Sequence, residues 1–315
     1  MLVAHNPYQR KVLINADSSQ AEARVVARMC SAIQGKLSRM DEIFLSGKKI
    51  HVVVASEIYN LPESQIPKDN NPGSMYYTAK RTVHANNYDM GIAKFAVIIK
   101  QSLLEAKRLQ GIYHSKMPEV RGVFHQWVQD QLRKGATIIN AYGRPHTFLD
   151  RVDNELFRRG YAYYPQSTVA DLIELAFQDL DNAAKPEWEL DLLLTTHDSI
   201  TFQMLAEPEL IWDACCLLKT YMEAPLNILG LELTIPTEFT LGRDYHRQHK
   251  FTSPSSIQHL LKKLGYIYAE TPGLHQSLHG PHSGSGKPGG LPLLDSSGHN
   301  GSSDPYERLF GPWLL

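Results

Sequence analysis

Asp17-Ser18-Ser19-Gln20-Ala21-Glu22-Ala23-Arg24 is the stretch that decides how the chain is read. It follows Lys11-Val-Leu-Ile-Asn-Ala16, an apolar run that reads as a short buried strand. It leads into residues 21–33, where Val25, Val26 and Met29 recur at helical spacing. Asp17 therefore falls where a strand ends and a helix begins. A carboxylate there is held rigidly by the strand and has room for a ligand. Taken alone it equally suits an ordinary helix cap. A second acid comes much later, in Leu190-Asp-Leu-Leu-Leu-Thr-Thr-His197-Asp198-Ser199-Ile-Thr-Phe-Gln-Met-Leu205. Two β-rich runs flank His-Asp-Ser, which predicts a hairpin with Asp198 at its tip. A plain turn aspartate is the alternative there.

Working outward, the periodicities predict further helices over residues 51–59, 75–91, 92–111, 118–133, 168–180 and 208–222. A hairpin centred on Gly143 is expected over 135–149, and an alternating strand over 231–241. Residues 62–73 hold three prolines and read as a loop. From Thr271 the composition shifts to Gly, Ser, Pro and His, and disorder is expected there. The chain has 315 residues with 43% hydrophobic, enough for a sizeable core. Its net charge is −1, so nucleic-acid binding would depend on local patches and be weak for this chain alone. Cys30, Cys215 and Cys216 have no metal-ligand spacing and read as reduced core residues of a cytoplasmic protein. No apolar run approaches the length of a membrane span.

Asp17-Ser-Ser-Gln-x-Glu-x-Arg24 resembles motif A of the family-A (polymerase I type) DNA polymerases, usually Asp-Tyr-Ser-Gln-x-Glu-x-Arg. His197-Asp198-Ser199 is similar to motif C, usually His-Asp-Glu, with His-Asp-Ser familiar in phage members. Between them, Lys80-Arg-Thr-Val-His84-Ala-Asn-Asn87-Tyr88-Asp-Met-Gly91 resembles motif B. Ala141-Tyr-Gly143-Arg144 and Gln166-Ser-Thr-Val-Ala-Asp171 fall in family order as well, and the likeness runs over roughly residues 5–247. It implies an α+β fold, a polymerase palm of antiparallel sheet and helices plus a helical fingers subdomain. Residues 1–60 would begin the palm and 61–135 form the fingers. Residues 136–250 would complete the palm, 251–270 a helical extension, and 271–315 a disordered tail.

The resemblance implies template-directed transfer of a nucleotide from a dNTP to a primer 3′-hydroxyl. Two Mg²⁺ ions about 3.5–4 Å apart serve such chemistry, and hard cations of this kind need few carboxylates because they keep water ligands. Asp17 and Asp198 would be the catalytic acids, and the metal ligands would be Asp17, Asp198 and the Ser18 carbonyl. Lys80, His84 and Tyr88 are spaced to share one helix face. On this reading Lys80 and His84 grip phosphate and Tyr88 stacks on the incoming nucleotide. Gln20 and Glu22 complete the nucleotide site, with Glu22 closing the space of a ribose 2′-hydroxyl. Arg144, Gln166 and His197 would contact primer-template DNA. A solvated surface helix, an N-terminal helix acid and a turn-capping histidine are the ordinary alternatives for these residues.

Departures from the pattern are Ser18 for Tyr, Asp89 for Gly, and Lys49-Ile50-His51 for Asp-Ile-His. Asp89 is expected to set a carboxylate beside an anionic substrate, and His51 is assigned no role. Only sixteen residues precede Asp17, whereas the family's catalytic unit starts upstream with a thumb. A second polypeptide carrying the thumb is expected, or the chain is a fragment. The competing readings are a non-catalytic remnant that binds DNA or a replication partner, and a metal-dependent nuclease, which leaves motif B unexplained. Near the C-terminus, Leu309 and Phe310 resemble the Leu-Phe pair of peptides that bind sliding clamps.

Overall fold

The computed structural model describes residues 10–266. At its centre is β1 (Lys11–Ser18), flanked on one side by β5 (Ser199–Leu205) and on the other by β8 (Thr237–Gly242). With β4 (Asp191–Thr196) and β9 (His249–Lys250) they form an antiparallel sheet of order β4-β5-β1-β8-β9. Ala16 lies opposite Ile200 and Phe239, and Ile14 opposite Phe202 and Leu241. Asp17 lies opposite Ser199 and Glu238. Directly opposed residues share a face, and faces alternate along a strand. One face is thus buried Val12, Ile14, Ala16, Ile200, Phe202, Met204 and Leu241, while the other carries Asn15, Asp17, Thr201 and Glu238. Burial of each large apolar side chain contributes about 1.5–3 kcal/mol, so the apolar face sets the register.

The predicted hairpin forms with His197 and Asp198 between Thr196 and Ser199, which pair directly. The helix after motif A is α1 (Ala21–Gln34), with Val25, Val26, Met29 and Cys30 buried and Gly35 closing it at φ 68°. A short helix, α2 (Arg39–Leu45), was not expected; Ser38 caps it by accepting the Asp41 N–H. Then come α3 (Ile50–Tyr59) and α4 (Met75–Asn87), the latter capped by Ser74. The helix expected over 92–111 is two: α5 (Ile92–Ile99) ends at Lys100 in the left-handed region, and Ser102 starts α6 (Leu103–Lys116) by accepting the Glu105 N–H at 3.1 Å. The stretch 118–133 divides into a π-turn (Val120–His125) and α7 (Gln126–Gly135).

The hairpin around Gly143 is present as β2 (Thr137–Ile139) and β3 (Pro145–Thr147). The helix expected over 168–180 is far longer, α8 (Asn154–Ala183), and runs through Pro165. It packs closely on α7: a Cβ on Gly160 would lie 2.7 Å from Leu132 Cδ1 and 2.9 Å from Val128 Cγ1. After α9 (Pro208–Met222), the strand expected over 231–241 is broken at Pro236, which has no N–H for a ladder. Its first part, β7 (Leu231–Leu233), pairs instead with β6 (Leu226–Ile228). The helical extension is α10 (Pro254–Lys263), held by a Ser253–Ser256 capping box.

Cys30 and Cys215 are buried, but Cys216 is exposed, because the next residue of a helix points about 100° away. No helix among the described residues is long and apolar enough to cross a membrane. The lead-in at 1–9 and the tail with Leu309 and Phe310 lie outside the described residues.

Candidate active site

The sheet register brings the two motif acids onto adjoining strands. Ser18 N–H donates to the Asp198 carbonyl at 2.8 Å, and Asp17 faces Ser199 across the ladder. Burial, then the charges of Asp17 and Glu22, push the Asp198 carboxyl up to about 6. Asp17 is raised by burial and by Glu238, against the opposing pull of Lys80, Lys49 and Lys250. Two carboxyls that resist being ionised together suit a divalent cation that neutralises them. Among the described residues no group of three or more His, Cys, Asp or Glu is set to hold a metal. The fit therefore rests on the oxygens of two carboxylates. All these donors are hard oxygens, as Mg²⁺ requires.

A cavity of about 420 Å³ opens above the hairpin tip, with His197 and Asp198 on its floor. Gln20 and Glu22 from the start of α1 form one wall, and Lys80, His84 and Tyr88 form another. His51 and Gln166 complete it. Asp17 and Ser18 do not line this space; they stand on the strand beside Asp198. Gln20 caps α1 with φ 56°, and both polar atoms of its amide are buried without a partner.

Tyr88 departs from the expected placement. It follows the last helical residue of α4 as a cap, so it does not continue the Lys80–His84 face as a helical position. Its ring is buried, and its hydroxyl donates to the Glu22 carboxylate. Burial and Glu22 hold the phenol well above its ordinary range. His84 meets the Tyr88 ring edge-on at 5.1 Å, with Nδ1 3.9 Å from Glu22. Burial lowers the His84 pKa in spite of Glu22.

Arg144 lies outside the cavity, in an adjoining groove of about 330 Å³ with Tyr163 and Ser167. Glu22, Gln166 and His197 border both spaces. The Arg144 guanidinium grips Asp171 through two contacts, at 2.9 and 3.0 Å. Asp89, expected to face the substrate, is turned away from it. Its φ is 49°, and its carboxylate accepts from Arg121 at 3.1 Å.

Two residues escaped the sequence reading. His51 was given no role because its neighbour Lys49 breaks the expected pattern. It nonetheless lines the cavity, with Nδ1 buried and unpaired and its pKa lowered to about 3 by burial, Lys80, Lys49 and His84. Glu238 is the cross-strand neighbour of Asp17 and pairs with Lys250 at 3.0 Å and Lys49 at 3.4 Å. Lys49 was the available signal: a reversed charge at a patterned position asks for a partner of opposite sign.

Comparison with known proteins bears on this arrangement. The family model for DNA polymerase family A matches residues 1–247. The chain is 25% identical over 197 residues to DNA polymerase I of Helicobacter pylori strain ATCC 700392 / 26695, covering 61% of this chain and 20% of that protein. The DNA polymerase I of strain J99 / ATCC 700824 is 24% identical over the same length and shares. The chain thus spans a fifth of the length of the curated relatives it matches. Among solved structures, the POL domain of Pol1 from M. smegmatis, in complex with DNA primer-template and dNTP, is similar with a TM-score of 0.60 and 23% identity. That likeness covers 78% of this chain and 41% of the other, and it concerns the mixed helix and antiparallel sheet fold. With most of its length matched by the family model, the chain belongs to DNA polymerase family A.

Proposed function

We propose that this chain carries out template-directed DNA synthesis, joining a dNTP to a primer 3′-hydroxyl. The observation that carries the reading is the cavity itself: one space joins the Asp198 tip, with Asp17 on the next strand, to the basic side of α4. Mg²⁺, two ions on the family pattern, held by Asp17, Asp198 and the Ser18 carbonyl, would activate the attacking oxygen and neutralise the leaving pyrophosphate. Lys80 meets the triphosphate as a point charge. His84 donates a ring N–H to it. His51 adds a further ring nitrogen, and the unpartnered Gln20 amide offers a donor and an acceptor to the nucleotide. Glu22, fixed by the Tyr88 hydroxyl, stands where a ribose 2′-hydroxyl would need room. Primer-template DNA runs along the groove of Arg144, Gln166 and His197. In these terms the sheet with α8 and α9 is the palm, and the helices from α4 to α7 are the fingers. Ser199 and His84 are the phage-like features of the set.

The remainder of the duplex grip, a thumb, belongs to a second polypeptide or to a longer parent protein. The remnant reading rests on Asp89, Ser18 and the missing thumb; of these, Asp89 is paired with Arg121 rather than lining the cavity. The test is extension of a labelled primer on a template with four dNTPs and MgCl₂, by the chain alone and with a thumb-bearing polymerase fragment added. Asp17→Asn and Asp198→Asn are expected to abolish extension while keeping the wild-type circular dichroism. Extension by either variant sinks the assignment. A wild-type chain that binds primer-template but never extends it supports the remnant.

A further inference from the structure

The turn that carries Tyr88 out of α4 is held from several directions at once. Tyr113 of α6 donates to Asn87 Oδ1 at 2.6 Å, and His125 Nε2 of the π-turn lies 2.8 Å from the Asn87 carbonyl. Gln110 of α6 donates to the Met90 carbonyl at 2.8 Å. Asp89 sits between them in the left-handed region, at φ 49°. That conformation is uncommon for a residue with a Cβ, and Asn and Asp tolerate it best. Asp89 is engaged at both ends: Arg121 Nη2 donates to its carboxylate at 3.1 Å, and Arg158 Nε donates to its carbonyl at 3.0 Å. Arg121 belongs to the π-turn and Arg158 to α8. The residue immediately before is Tyr88, whose hydroxyl bonds Glu22 inside the cavity.

We propose that Asp89, with Arg121 and Arg158, forms a positioning unit that sets the Tyr88 ring against the incoming nucleotide. The inference rests on the reading that the cavity takes a deoxynucleoside triphosphate. Asp89 touches no substrate. It acts through the backbone of the turn, which Arg158 fixes to the same rigid helix that bears Tyr163, Gln166 and Ser167 of the DNA groove. Substitution at position 89 therefore alters nucleotide affinity while leaving DNA affinity alone. An unneeded surface ion pair would have no such reach.

The experiment uses the full chain and three variants: Asp89→Asn, Arg121→Gln, and the two combined. Asparagine keeps the tolerance for positive φ and removes only the charge. Hydrogen exchange of the segment 86–91 needs no substrate. It is expected to quicken about 2–5-fold in each single variant and no further in the double, the range for a partly exposed ion pair. In a second readout, binding of dTTP with MgCl₂ and a primer-template calling for it is expected to weaken by a similar factor in both single variants. It should weaken no further in the double variant, with primer-template affinity constant throughout. Unchanged exchange in the single variants overturns the unit. Faster exchange with unaltered dTTP affinity overturns the positioning role, and so does an additive loss of dTTP affinity in the double variant. If the wild-type chain binds no triphosphate, the reading of the cavity fails first and the positioning role falls with it. The two failures are told apart by the wild-type titration.

Discussion

Asp198→Asn is predicted to make the metal-free protein more stable, although it removes a catalytic group. The carboxyl ionises near 6 in the folded chain, against an ordinary value of 3.8. Its folded-state value is raised, so the folded chain holds its proton more tightly than the unfolded chain. Below about pH 4 the group is protonated in both states and has no effect. As pH rises from there to about 6 the unfolded chain releases the proton first, and stability is lost. Above pH 6 the loss is complete and constant. At 1.36 kcal/mol per pH interval the loss is about 3 kcal/mol at most. Partial exposure of the side chain and solvent screening reduce this to roughly 1–2 kcal/mol. The assay is urea denaturation of wild type and variant at pH 4 and pH 8, each with and without MgCl₂. The variant should be more stable at pH 8 by that amount and equal at pH 4. Mg²⁺ should stabilise the wild type at pH 8 and leave the variant unaffected. A variant no more stable at pH 8, or stabilised by Mg²⁺ as much as the wild type, would refute the reasoning.

Other outcomes follow from the same geometry. Glu238→Gln should lower the Asp17 pKa, because Glu238 raises it and the two lysines it now engages oppose that rise; a carbon-13 titration of the Asp17 carboxyl that does not move toward acid would contradict this. Glu22→Ala should raise ribonucleotide use relative to deoxynucleotide use by roughly ten-fold or more, measured as a ratio of kcat/KM values. An unchanged ratio removes Glu22 from sugar selection. Gly160→Ala should destabilise the fold by about 1–3 kcal/mol, since the new methyl would meet Leu132 and Val128 under 3 Å; a thermal melt at or above the wild-type Tm would show that α7 and α8 give way freely.

Local periodicity and turn chemistry were enough to read β1, the entry into α1, the motif C hairpin and the Gly143 hairpin. Each is specified within a few residues: a short apolar run for the strand, a glycine at a turn, a polar tip between β-rich runs. Where the deciding contact was distant, the residues were silent. α8 runs through Pro165, and Gly160 within it is chosen by Leu132 and Val128 of another helix. The tie between Tyr88 and Glu22 depends on how α1 meets the end of α4, which no spacing discloses. Glu238 becomes a neighbour of Asp17 only through the β1–β8 register. Asp89 looked unfavourable because it replaces the motif's glycine beside an anionic substrate, whereas its charge is answered by Arg121 in the π-turn.

The register of β1 also determines which changes of length the chain can absorb. Ladders bind this strand on both edges, and toward its end one face is apolar while the other carries Asn15 and Asp17. One residue inserted between Ile14 and Asp17 would turn every following side chain to the opposite face, sending the carboxylate among Phe202, Phe239 and Leu241. No compensation by a neighbour is available, since both partner strands would have to slip together. The loop between α3 and α4, with its prolines and exposed polar residues, has no such constraint. Insertions and deletions among related chains should therefore gather there and avoid the first strand, and a peptide tag placed in that loop should be carried without harm.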